Sequence, residues 1–498
     1  MTTAAPNPPE VRTVERQGLD VIAESDRKGT PRGLFWPWFA ANISVLGLAY
    51  GSFVLDFGIS LAQATIVSVV GVAFSFLLCG IVAIAGKRGS APTMVLSRAA
   101  FGVRGNRLPS CLSWVLTVGW ETSLAAAAVL ATSTVFTELG WDGGVLTKVV
   151  ALVVVAALIV GAGIAGFDVI MRLQAVITVV TAVLTVVYIV LAAPTIDFAT
   201  LGALPSGSAQ SVTGALVLVM TGFGLGWVNA AADYSRYLPR SASTRGVVGW
   251  TTFSGALAPA ILVVIGVMLA GSSPDLQAAI ANDPIGALTT ILPVWFLIPF
   301  AIVAILGLVG GAVLDIYSSG LALLSVGVKI PRPVAAGVDG LFMVAGAVYI
   351  AFFASSFVAP FQAFLITLGV PIAAWAGIFV ADVVLRRRAY AEAELDDRHG
   401  RYGDVRWLPI VLVVLGTALG WGLVTNTLGV PSWLNWQGYL LEPFGLGGRK
   451  GPWAYANLGV LVALVVGFLG TLLFARASVR RQEALNTPGA PSNPDDLR

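Results

Sequence analysis

Charge is scarce in this sequence: Asp, Glu, Lys and Arg make up 11% of its 498 residues, against roughly 25% in an ordinary soluble domain. With 57% of residues hydrophobic, no soluble core could hide so much apolar surface. Histidine occurs once, as His399 in the charged segment 386–406, where it cannot serve a buried proton relay. Cysteine is nearly as rare. Cys79 and Cys111 lie in or beside apolar segments without metal-ligand spacing, so they read as packing residues, and neither a disulfide framework nor a metal site is expected. No GxxxxGK(S/T) sequence is present, which argues against an ATP-driven pump within the chain. Arginine does not recur at every third position of an apolar segment, which argues against a voltage sensor. Residues 1–33 are polar and proline-containing, with no apolar core before a small-residue cleavage site. They read as a cytoplasmic tail and not as a signal peptide.

Apolar runs of about 20 residues are abundant, each long enough to cross a hydrocarbon layer of roughly 30 Å. Twelve spans are expected, at 35–58, 61–86, 111–137, 147–166, 169–193, 210–232, 249–271, 293–323, 334–353, 356–385, 407–428 and 453–475. With the N-terminus inside, every Lys and Arg except Lys148, Arg449 and Lys450 falls in a cytoplasmic segment. That asymmetry supports both termini inside a cell (inner or plasma) membrane. The chain then divides into a tail (1–33), five spans (34–193), five more (210–385), a charged cytoplasmic loop (386–406), two final spans (407–475) and a second tail (476–498). Nothing in the sequence signals an oligomeric state.

Two spans are interrupted by glycine at similar depth, the first at Gly47 and Gly51 (LGLAYG) and the sixth at Gly222, Gly224 and Gly226 (TGFGLG). Unwound backbone in a bilayer is tolerated only where it lines a cavity, and broken helices at matching positions of two halves point to an inverted-repeat transporter. Close helix packing is the competing use of such glycines; two clusters in a five-helix register favour the break.

Carboxyls in or at the ends of spans are costly unless paired, protonated or facing water. Asp56, Glu121, Asp168, Asp233, Asp315 and Asp382 stand out. Asp168, Asp233 and Asp382 lie beside Arg172, Arg236 and Arg386 at the cytoplasmic boundary, where interfacial pairing accounts for them. Glu121 sits mid-span next to Trp120, in VGWETSLAAAAV, with no basic neighbour on its helix. An indole face and a carboxyl that accepts ring N–H groups suit a flat heterocycle; a core tryptophan with a lumen-facing glutamate is the alternative. Phe223 inside the sixth-span break, or Trp227 one turn later, offers the opposite stacking face. Buried carboxyls with discontinuous helices favour a secondary transporter over a passive channel or a membrane receptor.

Six local motifs are more specific: PWFAANISVLGLAYG, GKRGSAPTMVLSRAAFGVRGNRLP, VGWE, GLGWVNAAADYSRYLP, DIYSSGLALLSVG and FLITLGVPIAAWAGIFVADVVLRRR. Together they resemble the nucleobase:cation symporter family, on its purine/cytosine permease branch. The resemblance implies an all-α polytopic membrane protein of twelve transmembrane helices. Its expected fold is a LeuT-like five-plus-five inverted repeat with two C-terminal helices, alternating between outward- and inward-open states. It also implies a substrate sandwiched between aromatics of the third and sixth spans. Trp120 falls on the family's stacking tryptophan and Glu121 on the acid that often follows it. Phe223 or its neighbour Gly224 falls at the second aromatic position, and Asn42 on a first-span asparagine near the site.

Two departures bear on mechanism. Leu124 stands four residues after Trp120, where several purine-permease-like members carry asparagine, so the particular base is left open. Gly307, Gly310 and Gly311 stand where sodium-coupled relatives have hydroxyl-bearing residues shortly before the matching Tyr317. A helical glycine offers only a carbonyl that its helix already uses. Proton coupling is therefore expected over sodium, with Glu121, Asp56 or Asp315 as the titrating group. The expected activity is import of a nucleobase or related heterocycle by cation symport, with no enzymatic chemistry. Sodium-coupled import of allantoin, hydantoin or a vitamin-precursor pyrimidine is the alternative. The expected partners are the small-molecule substrate and membrane lipid, with no cofactor and no nucleic acid.

Overall fold

A computed structural model describes residues 18–426 and 435–484, and the side chains of 167–169, Asp168 among them, lie outside the described residues. Among the described residues every helix or strand assigned is a helix. Nine continuous helices are long and apolar enough to cross a membrane. Two bent pairs join them, Pro31–Asn42 with Leu46–Leu55 at 65° and Leu458–Phe474 with Arg476–Ala484 at 56°, and Trp407–Trp421 is a shorter apolar helix. This arrangement is compatible with the twelve spans expected, which are numbered accordingly below.

Burial separates inner helices from outer ones. In the sixth span (Ala209–Ser235) and the tenth (Val358–Leu385), 78% and 83% of the most apolar window is buried, against 28% in the fourth (Val145–Ala165). Exposed valines such as Val149, Val153 and Val154 cover the outer face of the fourth span, as a helix bathed in lipid on one side requires.

Local chemistry sets the helix ends. The second span (Leu61–Gly89) starts at Ser60, whose hydroxyl accepts from the Gln63 N–H while the Gln63 side chain accepts from the Ser60 N–H, a reciprocal cap that satisfies two orphan donors. Its last turn carries Lys87 and Arg88, cations placed at the negative end of the helix dipole. Gly166, at φ 95°, separates the fourth and fifth spans in a conformation that a side chain disfavours.

The first span breaks at Ile43–Val45, not at the glycines that suggested a break. Asn42 Nδ2 donates to the Trp38 carbonyl at 2.8 Å, and Ile43 leaves the helical region at ψ 75°. Ser44 Oγ then accepts from the Leu46 N–H at 3.3 Å, where the second half-helix begins. Side-chain competition for backbone groups, not glycine, ends this helix. Gly47 and Gly51 lie inside the second half-helix. A Cβ on Gly51 would overlap the backbone at Gly266 of the seventh span (Thr244–Ser272), so this cluster serves close packing.

The sixth span does break within its glycine cluster. Phe223 adopts φ −123°, ψ −106° between the helices Ala209–Gly222 and Gly224–Trp227. The second span satisfies the freed backbone: Ser75 Oγ accepts from the Gly224 N–H at 3.1 Å, and Cys79 Sγ donates to the Gly224 carbonyl at 3.0 Å. Each glycine marks a close approach, since a Cβ would meet the Tyr50 ring at Gly222, the Ser75–Phe76 backbone at Gly224 and the Trp120 indole at Gly226.

Candidate functional site

The two breaks meet the third span (Arg107–Glu138) and the eighth (Leu297–Val326) around one small cavity of about 40 Å³. Trp120, Phe223 and Trp227 line it, with Asn42, Ser44, Tyr50, Leu124, Gly307, Gly311 and Asp315. The rings are braced from behind. Trp120 stands edge-on to Phe361 at 5.5 Å, Phe223 tilts against Tyr50 at 4.7 Å, and Trp227 stands edge-on to Trp38 at 6.0 Å. Such contacts fix ring orientation and leave the remaining faces for a ligand. The volume holds a few waters and no heterocycle, so a ligand requires these walls to part.

Three polar groups at the cavity are buried without a hydrogen-bond partner: Trp120 Nε1, the Tyr50 hydroxyl and both carboxyl oxygens of Asp315. Buried polar atoms normally find partners, so these are the groups a polar ligand edge would satisfy. The site therefore offers two donors, one carboxyl and aromatic faces.

Of the residues expected to bind substrate or carry the coupling proton, Trp120, Phe223, Trp227, Asn42 and Asp315 converge here, and three lie elsewhere. Glu121 is fully buried but is not a lining residue; its carboxyl faces Ser319, Asp339 and Asp315 on the neighbouring eighth and ninth spans. Adjacent positions on a helix point about 100° apart, so Trp120 and Glu121 cannot share one slot. Gly224 packs on the second span and does not line the cavity. Asp56 lies in the wall of a separate vestibule of about 580 Å³, with Phe57, Gln210, Gln362 and Asn457, on the side the basic residues assign to the outside. Asp56 is exposed there and accepts a 2.9 Å hydrogen bond from Gln277 Nε2.

The opposite face is tied shut. Glu392 takes Arg27 at 3.2 Å and Arg240 at 2.5 Å, joining the N-terminal segment to the loops that follow the sixth and tenth spans. Arg236 donates to the Tyr317 hydroxyl at 2.6 Å, and Ile22 N–H donates to the Ser90 carbonyl at 2.8 Å. Asp382 pairs with Arg386 at 3.0 Å as expected from their spacing. Asp233 accepts from the Thr93 N–H and hydroxyl, at 2.7 and 2.8 Å. Farther out, hydrogen bonds from Arg401 hold the Glu394 carboxyl below its ordinary range, and Arg104 does the same for Asp404.

Sequence reasoning missed Tyr50 and Asp339. Tyr50 lies in LGLAYG, between Gly47 and Gly51. Asp339, in RPVAAGVDGLF of the ninth span (Arg332–Phe352), has the same signal as Glu121: an acid inside an apolar helix.

Residues 21–440 match the model of a family described as permease for cytosine/purines, uracil, thiamine, allantoin. A Bacillus subtilis protein named as a purine-cytosine permease, YxlA, is 25% identical over 422 residues, covering 82% of this chain and 87% of that one. Mhp1, a nucleobase-cation-symport-1 family transporter solved in a closed conformation with bromovinylhydantoin bound, superposes with a TM-score of 0.67 at 18% identity, over 94% of this chain and 98% of its own. A Na⁺-coupled sialic acid symporter in an outward-open state reaches 0.51 at 13% identity, over 90% and 98%. These structural likenesses carry the fold, a LeuT-like helical membrane architecture. With the family match spanning most of its length, the chain belongs to the family of permeases for cytosine/purines, uracil, thiamine and allantoin.

Proposed function

We propose that this chain imports a nucleobase-type heterocycle by alternating access, together with a proton. The observation that carries this reading is the cavity at the two helix breaks, where Trp120, Phe223 and Trp227 surround the unpartnered Trp120 N–H, Tyr50 O–H and Asp315 carboxyl. Aromatic faces bind any flat ring, while convergent donors and a carboxyl select one whose edge carries both N–H and C=O. Asp315 takes the ligand role expected of Glu121.

The eighth span favours the proton. Where the first span breaks, it presents Gly307, whose Cβ would lie 3.3 Å from the Ile43 carbonyl oxygen, and no hydroxyl of its own. The Gly310 carbonyl already accepts from Gln174 Nε2 at 2.6 Å. Sodium needs several oxygen ligands, and this spot supplies the Ser44 hydroxyl and whatever carbonyls the break frees. A protonated carboxyl beside a neutral base keeps the moving site nearly uncharged, which lowers the cost of occlusion in a low-dielectric cavity.

The test is uptake by purified protein in proteoliposomes, with labelled cytosine or hypoxanthine competed by a panel of bases, allantoin and hydantoin. We expect saturable uptake that responds to an inward proton gradient and is indifferent to replacing sodium with choline. Strict sodium dependence would overturn the proton reading, and would mean that freed carbonyls and Ser44 complete an ion site. Failure of every heterocycle to compete would overturn the substrate class.

A further inference from the structure

Behind the cavity wall, a seam of carboxyls continues from Asp315, which lines the cavity, to two acids that do not line it, Glu121 and Asp339. The third span presents Trp114 and Glu121, seven residues apart and therefore on one face. The eighth presents Asp315 and Ser319, one turn apart on one face. The ninth presents Asp339. Asp315, Glu121 and Asp339 are 1%, 0% and 0% exposed.

The hydrogen bonds along this seam are directional. Ser319 Oγ donates to Asp339 Oδ2 at 2.9 Å, and Trp114 Nε1 donates to Asp339 Oδ1 at 2.6 Å. Glu121 faces the same Ser319 hydroxyl, with the Asp339 and Asp315 carboxyls beyond, yet neither of its oxygens completes a hydrogen bond. The charged group on the seam's cytoplasmic side is Arg332, 4% exposed, seven residues before Asp339 on the same face of the ninth span, with its guanidinium over the Tyr317 ring at 4.6 Å. The tenth span contributes aromatic carbon near this stretch of the third, Phe361 and Phe364 against Trp120. An ionised Glu121 so placed has no hydrogen bond to balance it, so the seam is built to hold protons.

We propose that Asp315, Glu121, Ser319 and Asp339 form a proton wire that leads from the substrate cavity toward the cytoplasmic end of the ninth span, apart from the substrate's own exit. This rests on the proton-coupled reading above. In the transfer step the Glu121 acid gives its proton to Ser319 Oγ while the Ser319 hydroxyl passes its own to the Asp339 carboxylate. The serine ends unchanged, and one proton has moved from Glu121 to Asp339. Asp315, at the cavity, re-protonates Glu121. The Trp114 N–H steadies the Asp339 carboxylate once its proton has left for the cytoplasm, which makes Trp114 a positioning residue. Asp339 lies seven residues into its helix, about 10 Å along the axis from the cytoplasmic start.

Proteoliposomes carrying an internal pH dye separate this wire from substrate binding. Two readouts are compared: counterflow exchange of labelled base at equal pH, and base accumulation driven by an inward proton gradient. Asp339→Asn should retain counterflow while losing gradient-driven accumulation by about tenfold or more, the scale on which a positioned proton carrier acts. Asp339→Glu should recover part of it, and Trp114→Phe should shift the pH profile of accumulation with counterflow retained. Ser319→Ala, which removes the bridging hydroxyl without adding volume, should reproduce the Asp339→Asn split, and it decides the matter if Asp339→Asn is not recovered folded. Accumulation by these variants at the wild-type level, with the wild-type pH profile, would overturn the wire alone. Wild-type protein that shows no base-driven internal acidification and accumulates only with sodium would overturn the coupling reading and the wire with it.

Discussion

The first and sixth spans are both broken at the cavity, but by different means. The first is interrupted by polar side chains: Asn42 closes on the Trp38 carbonyl, and Ser44 accepts the first N–H of the next half-helix. The sixth is interrupted between two glycines, and its freed backbone is satisfied by Ser75 and Cys79 of the second span. Glycine clusters of similar appearance therefore do opposite work. In the sixth span they let the chain turn at Phe223 and let Trp120 lie on bare backbone; in the first they let a continuous helix press against the seventh span. A glycine in a membrane helix marks close approach, and only the partner decides whether that approach is packing or a site.

This contrast is most easily broken at Gly51. A Cβ there would overlap the Gly266 backbone, which cannot move aside as a side chain can. Gly51→Ala should cost about 3 kcal/mol or more, seen as loss of folded protein by fluorescence-detected size exclusion. A variant as stable as wild type would remove the packing role.

Trp120→Ala should leave the protein inserted and folded while weakening substrate affinity by roughly tenfold to a hundredfold, since one stacked base–aromatic contact contributes about 1–3 kcal/mol. Trp120→Phe should retain part of the affinity. Wild-type uptake by the alanine variant would take Trp120 out of the site.

Gly226→Ala sharpens the comparison, because its Cβ would stand 2.9 Å from Trp120 Nε1, a side chain able to shift. The expected result is a KM raised a few-fold, on the order of 1 kcal/mol, with thermal stability unchanged. A large fall in stability with normal KM would make Gly226 a packing glycine like Gly51. The smallest effect belongs to Ser44→Ala, which removes one acceptor at the first-span break at a cost of about 1 kcal/mol. It should lower uptake modestly and should not reproduce the Gly51→Ala loss of fold.

Much of the fold was legible in order and composition. Apolar runs of membrane-crossing length depend on local sequence alone, which is why nine long apolar helices of the described residues coincide with expected spans. The cavity aromatics were legible for a similar reason, since Trp120, Phe223 and Trp227 sit in motifs that hold position relative to a helix break. The carboxyls were not. Asp315 and Glu121 look alike in sequence, each an acid inside an apolar helix, yet one lines the cavity and the other faces Ser319 and Asp339. Asp339 carries the same signal, and its hydrogen-bond donors, Ser319 and Trp114, come from two other spans.

By itself the sequence determined that the bilayer is this protein's main solvent and that helices of membrane-crossing length make up most of it, because a charge scarcity and a length of apolar run are properties of the chain as written. Tertiary structure alone decided where the first span breaks, which acid meets the cavity, and that Gly51 packs while Gly226 cradles an indole. Those outcomes depend on how helices far apart in sequence are rotated against one another, and a rotation of one residue, about 100° on a helix, moves a carboxyl from the substrate to a seam behind it.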